Sequence, residues 1–202
     1  KRGIYFGKCT DLERIGSPVE NAFMSCCGAV STFRVFARAA EILGKDEKYR
    51  AECLYYADEL LKNLARDDEK YLPFPGAELR SIGVFAGKFP FNVLDGDDPF
   101  LHAALCDYIE HEETFGNMYR VGKGVSSWYA AWKAEAYARC GRTNETSEAL
   151  SQARASKGKY DELFEINEEN VYSVPWFMTA AGVYVSAVNE SILQSDGENV
   201  FL

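Results

Sequence analysis

The residues of this chain best suited to chemistry are carboxylates near helix starts or in long loops. Glu20 follows Ser17-Pro18-Val19, and Asp11 and Glu13 lie just before it in what reads as a non-helical approach. Asp95, Asp97 and Asp98 precede Pro99, and Glu165, Glu168 and Glu169 surround Asn167. Two carboxyl groups facing each other across a bond, one protonated and one ionised, can hydrolyse it by general acid/base catalysis. For inversion at a sugar carbon they stand roughly 6.5–9.5 Å apart. Each candidate also has a plain reading. Glu20 stands three residues after a serine cap, where a glutamate serves a capping box without any catalysis. Asp11 and Glu13 can pair with Arg14, Glu168 and Glu169 fit a solvated loop, and Asp95, Asp97 and Asp98 fit turn and cap chemistry.

Aromatic residues make up 14% of the chain, more than a core of this size needs, and their faces suit the apolar sides of sugar rings. Trp128 and Trp132 are four apart and share a helix face, with core packing the expected role of Trp132. Trp176, just past Pro175 at a helix start, has the better claim to a ligand platform. His102, near the start of its helix, can bind a hydroxyl or close a pocket. With His102 and His111 the only histidines, nine apart and off one helical face, no metal site is drawn. The six cysteines, Cys9, Cys26, Cys27, Cys53, Cys106 and Cys140, show no CxxC spacing and read as buried free thiols. There is no P-loop, dinucleotide fingerprint or nucleophile elbow, so no cofactor is expected.

A net charge of −9 opposes binding to nucleic-acid phosphates or an anionic membrane surface, which leaves a neutral partner such as carbohydrate as the better fit. No run of eighteen apolar residues is present, and the first residues lack the apolar segment of a signal peptide. The compartment therefore stays open: periplasmic or extracellular for a glycan-degrading enzyme, cytoplasmic otherwise.

The elements that must position these groups are helices. Ser17-Pro18-Val19-Glu20 predicts a helix start, with Phe23, Cys26, Cys27, Val30, Phe33, Phe36, Ala40 and Leu43 on its apolar face and Gly44 at its end. Asp46 is expected to cap a second helix carrying Leu54, Ala57, Leu60, Leu61 and Leu64, antiparallel to the first because the turn is so short. Asp98-Pro99 starts a third helix and Ser126 or Ser127 a fourth, which ends at Gly141. Thr143 or Asn144 starts a fifth, and residues 174–195 form the last. Between them run long segments rich in glycine, proline and aromatics. Residues 66–97 are expected to contain extended pieces at Arg80 to Phe85 and Lys88 to Leu94, and two further connections span 114–125 and 157–173. Loops of this length usually line a site. The expected class is all-α: antiparallel helix hairpins forming part of an (α/α)6 toroid, with long loops carrying short strands. Six helices make half of such a ring and leave apolar flanks uncovered. The remaining half, from the same chain or another subunit, is therefore an expected partner, and residues 1–202 are read as one domain.

Three stretches in order resemble a known family. Ser17-Pro18-Val19-Glu20-Asn21, continued by Gly28 and by Ala39-Ala40-Glu41-Ile42-Leu43-Gly44-Lys45-Asp46, is similar to one helix of glycoside hydrolase family 95, the inverting fucosidase-type enzymes. Ser127-Trp128-Tyr129-Ala130-Ala131-Trp132-Lys133 resembles a second. Leu163-Phe164-Glu165-Ile166-Asn167, followed by Thr179-Ala180-Ala181-Gly182 and Leu193-Gln194-Ser195-Asp196-Gly197, resembles the last. The resemblance implies the C-terminal half of a six-hairpin glycosidase domain, with Glu20 as general acid. From the residues themselves, substrate contacts are expected at Asn21, His102, Trp128, Asn167 and Trp176, with Glu168 or Asp11 as the second carboxylate. Asn167 stands where the family carries a catalytic aspartate. An amide cannot take a proton from water, so either a neighbouring carboxylate has assumed the role or the reaction is lost, leaving a glycan-binding toroid. A helical scaffold of TPR type for peptides is the third alternative.

Overall fold

The computed structural model describes residues 3–10, 18–110, 126–155, 160–168, 171–195 and 199–201. It is mainly helical, as expected, with six α-helices among the described residues: α1 (Phe23–Leu43), α2 (Glu47–Lys62), α3 (Pro99–Glu110), α4 (Ser127–Arg139), α5 (Thr143–Ala155) and α6 (Met178–Glu190). Two short antiparallel pairs join β1 (Ile166–Glu168) to β2 (Val171–Ser173) and β3 (Gln194–Ser195) to β4 (Val200–Phe201). The chain divides into two compact units, Lys1–Cys106 and Asp107–Leu202.

In the first unit α1 and α2 form the expected antiparallel hairpin. Gly44 takes the left-handed conformation (φ 60°) that glycine adopts without steric cost, and the N–H of Lys45 reaches back to the Ala40 carbonyl at 3.1 Å. Asp46 occupies the next N-cap position, but its side chain makes no cap hydrogen bond. α1 buries Phe23, Cys26, Cys27, Val30, Ala37 and Ala40, whereas Phe36 and Leu43, expected on the same face, are exposed, as is Leu54 on α2. α2 buries only Ala57 and Leu60, so it is a surface helix. Of the six cysteines, all free, only Cys26 and Cys27 are fully buried.

Three sequence expectations are corrected. α1 begins at Phe23, not at Pro18: Val19 is held in a β-bridge to Cys9, and Asn21 has φ 52°, which a helix cannot continue through. Glu20 therefore precedes the helix and forms no capping box. The extended pieces expected at Arg80–Phe85 and Lys88–Leu94 do not form. Ile82–Gly87 is a 3-10 helix buried against α1, capped by Ser81, whose Oγ accepts from Gly83 N at 2.9 Å. The last helix is shorter than 174–195, because Val174 (φ 40°) and Trp176 (φ 59°) lie outside helical space and Gln194–Ser195 pair as a strand.

In the second unit α4 is buried on nearly every side, including Lys133 and Glu135, and its alanines let neighbours approach closely. α5 buries one stripe, Thr146, Ala149 and Ala153, and lies antiparallel to α4 after the turn at Gly141 (φ 68°). Lys133 Nζ donates to Gln152 Oε1 of α5 at 3.0 Å. α6 runs parallel to α4. Phe177 meets Trp128 at their N-terminal ends, and Glu190 meets Arg139 at their C-terminal ends. α4 is thus packed between one antiparallel helix, α5, and one parallel helix, α6.

Candidate functional site

In the first unit the long segment after α2 crosses the N-terminal ends of α1 and α3. Phe23 N donates to the Pro73 carbonyl at 2.8 Å, and the Tyr71 ring lies 5.1 Å from Phe23 and 5.9 Å from Phe100. The Arg66 guanidinium sits 4.4 Å over the Phe100 ring. Asp98 caps α3, accepting from Leu101 N at 2.9 Å, and accepts the Tyr71 hydroxyl at 3.3 Å. Burial, then the charge and hydrogen bond of Asp98, push the Tyr71 phenol up to about 12.

Glu20 is exposed on the bend just before α1, between the Cys9–Val19 bridge and Asn21. Asn21 is almost fully buried, and its polar atoms are taken up within the protein. Oδ1 accepts from Phe6 N at 3.1 Å and Cys26 Sγ at 3.2 Å, while Nδ2 donates to the Asn63 carbonyl at 2.6 Å. His102 is exposed on α3, Asp95 and Asp97 are exposed ahead of it, and Asp11 and Glu13 lie outside the described residues.

In the second unit the corresponding end is aromatic. Trp128 stacks on Trp132 (6.1 Å, 22°) and meets Phe177 edge-on at 6.2 Å. Trp132 is buried, as expected of a core residue, and Trp128 is half-buried. Ser126 Oγ caps α4 through Tyr129 N at 3.3 Å. Ser127 Oγ donates to the Phe164 carbonyl, and Phe177 N to the Leu163 carbonyl at 2.9 Å, which ties the β1–β2 hairpin to the starts of both helices. Asn167 and Glu168 lie on β1, opposite Tyr172 and Val171; their side chains are outside the described residues, as is Glu169. Trp176 is 63% exposed and immediately precedes Phe177, the N-cap of α6. An indole held at a helix start by a fixed backbone, with its ring in water, is suited to stacking on a flat apolar surface.

Two features of the second unit were not anticipated from sequence. The first is a charged cluster at the C-terminal ends of α4 and α6: Arg139 contacts Glu190 Oε1 at 3.0 Å and Glu135 Oε1 at 3.4 Å, and Ser186 Oγ donates to Glu135 Oε1 at 3.2 Å. Glu135 is fully buried, and its Oε2 accepts no hydrogen bond among the described residues. Burial holds its carboxyl above the ordinary carboxylate range, and Glu190 adds to that while Arg139 opposes it. The second is a pocket of about 560 Å³ lined by Arg142, Thr146, Ser147, Glu190 and Gln194 among others. It lies at the opposite helix ends from Trp128 and Trp176. The one sequence signal for either was a glutamate set in an alanine-rich apolar run.

No family model matches this chain, and no curated protein matches it. The solved structure of a glycosidase is similar to it, with a TM-score of 0.70 and 13% sequence identity over 85% of this chain. The match takes in 52% of the glycosidase, so the chain spans about half that protein's length. The likeness shows a glycosidase-like helical fold. Among the described residues no helix is long and apolar enough to cross a membrane.

Proposed function

We propose that this chain is part of a glycoside hydrolase of the six-hairpin toroid kind, nearest in its motifs to family 95, acting on a carbohydrate with inversion through general acid/base catalysis. The observation that carries the reading is the similarity to a solved glycosidase over 85% of the chain. The exposed Trp176 and half-buried Trp128 at the starts of parallel helices support it, because aromatic platforms suit sugar rings. Residues 1–202 correspond in this reading to the C-terminal half of one toroid domain, whose other half is its expected partner.

Glu20 is the proposed general acid. It is solvent-accessible ahead of α1 and free of the capping box that the sequence offered as its alternative role. Glu168 or Asp11 is the proposed base, Asn167 being an amide. Trp176, Trp128, His102 and Asn167 are the proposed substrate contacts. Asn21, whose polar atoms are bonded to Phe6 N and the Asn63 carbonyl, is proposed instead to hold the chain ahead of α1 in place.

The test is hydrolysis of a panel of aryl glycosides and natural oligosaccharides by the full-length protein. Glu20→Gln is expected to fold normally and to lose at least 10²-fold in kcat on substrates with poor leaving groups, and less where the leaving group needs no proton. Added azide is expected to restore turnover to the variant lacking the base, since it replaces the activated water. A panel hydrolysed equally well by Glu20→Gln would remove the acid assignment. Sugar binding with no turnover on any substrate would favour the non-catalytic glycan-binding reading that Asn167 motivates.

A further inference from the structure

α6 has two unlike faces. Ala180 and Ala187 are fully buried, and Val183 and Tyr184 pack on the cluster of Ala130, Ala131 and Ala153. The opposite stripe, Met178, Gly182, Val185 and Asn189, follows the i, i+4, i+7, i+11 spacing of a single helix face and is exposed, with Met178 at 75% and Val185 at 58%. Ile192, 65% exposed, prolongs it beyond the helix. The stripe carries no charge. An added Cβ at Gly182 would meet nothing within 4 Å. A glycine in a water-facing helix interior only weakens the helix, whereas a glycine amid apolar neighbours lets a second backbone approach closely.

We propose that this face of α6 seats an amphipathic α-helix from the other half of the ring, presenting a small, uncharged stripe and crossing α6 at Gly182. The inference rests on the toroid reading above and names the surface through which the sector is continued. Its occupant follows from two observations. The similar glycosidase continues over a further half of its length that this chain does not match, and the stripe offers nothing to a charged peptide.

The test exploits opposite signs. In the full-length protein, Gly182→Ala on a water-facing helix raises Tm by about 1–2 °C, because alanine is the better helix former. Beneath a closely docked helix the added methyl lowers Tm instead, and Gly182→Leu lowers it further. A rise with alanine overturns the proposal, even if the leucine variant fails to fold. A photo-crosslinking amino acid at position 185 identifies the occupant. A cross-linked peptide from a helix outside residues 1–202 supports the proposal, while a peptide from a second copy of these residues, or no product, overturns it. Activity is read separately on Glu20→Gln, so failure of the docking face and failure of the hydrolase reading are distinguishable.

Discussion

Asn21 Nδ2 donates to the carbonyl of Asn63 at 2.6 Å, joining the residue that precedes α1 to the C-cap of α2. Asn63 in turn donates from Nδ2 to the Glu59 carbonyl at 2.8 Å and lies 3.3 Å from the Ile4 carbonyl, so two asparagines fasten the N-terminal segment to the hairpin. Asn21→Ala leaves Phe6 N and the Asn63 carbonyl without these partners. Each buried group so stranded costs about 1–3 kcal/mol. The expected loss, read by chemical denaturation, is about 2–4 kcal/mol, with KM little changed at temperatures where the variant stays folded. A KM effect with unchanged stability would return Asn21 to the substrate contacts.

Gly87 sits where the 3-10 helix presses on α1. A Cβ there would lie 2.8 Å from Leu94 Cδ1 and 3.2 Å from Phe23 Cζ. Gly87→Ala is therefore expected to destabilise by about 1–3 kcal/mol through overpacking. Since the closest atom belongs to Leu94, Leu94→Ala should relieve part of that cost, making the double variant less destabilised than the sum of the singles. Additive losses in a double-mutant cycle would show that Leu94 is not the obstacle.

The helix ends that were legible in the sequence are those set by local chemistry. Gly44 and Gly141 stop helices, and Ser126 and Asp98 start them, through contacts within five residues. Ser17-Pro18-Val19-Glu20 has the same local grammar, yet the helix starts at Phe23, because the bridge to Cys9 and the bonds to Phe6 and Asn63 come from residues distant in sequence. Ile82-Gly83-Val84-Phe85-Ala86-Gly87 is short and wholly buried, and an apolar run of that length carries no period to distinguish strand from 3-10 helix. The Glu135 cluster was illegible for a related reason: its partners Ser186 and Glu190 are on α6, more than fifty residues away.

Asp98 serves both as the cap of α3 and as the acceptor of the Tyr71 hydroxyl. Asp98→Ala is expected to cost about 2 kcal/mol, from a lost N-cap and a lost charge-assisted hydrogen bond. Tyr71 adds a pH signature. Its folded value is raised to about 12 from the ordinary 10.0, so its contribution is fully present below pH 10 and is lost as pH rises through 12. In Asp98→Asn the charge that favours the protonated phenol is gone, so the alkaline loss should end at a lower pH. Superimposable alkaline profiles for the two proteins would break the link between Asp98 and Tyr71.

Glu135 gives the opposite end of the pH scale its own test. Its carboxyl is raised above the ordinary 4.5, chiefly by burial, with Arg139 pulling it down and Glu190 pushing it up. A carboxyl whose folded value is raised binds its proton more tightly when folded. Its stabilising contribution is therefore present below 4.5 and is lost as pH rises through the raised value. Once the pH passes that value, the ionised group is buried with Oε2 unpaired among the described residues. Glu135→Gln keeps the shape and removes the charge, while Arg139 retains Glu190. The variant is expected to be at least as stable as the parent near pH 7, and the difference should shrink as pH falls toward 4.5. Denaturation midpoints across that range measure it. A variant less stable at pH 7 would mean that the Arg139 pairing outweighs the cost of burying the carboxylate.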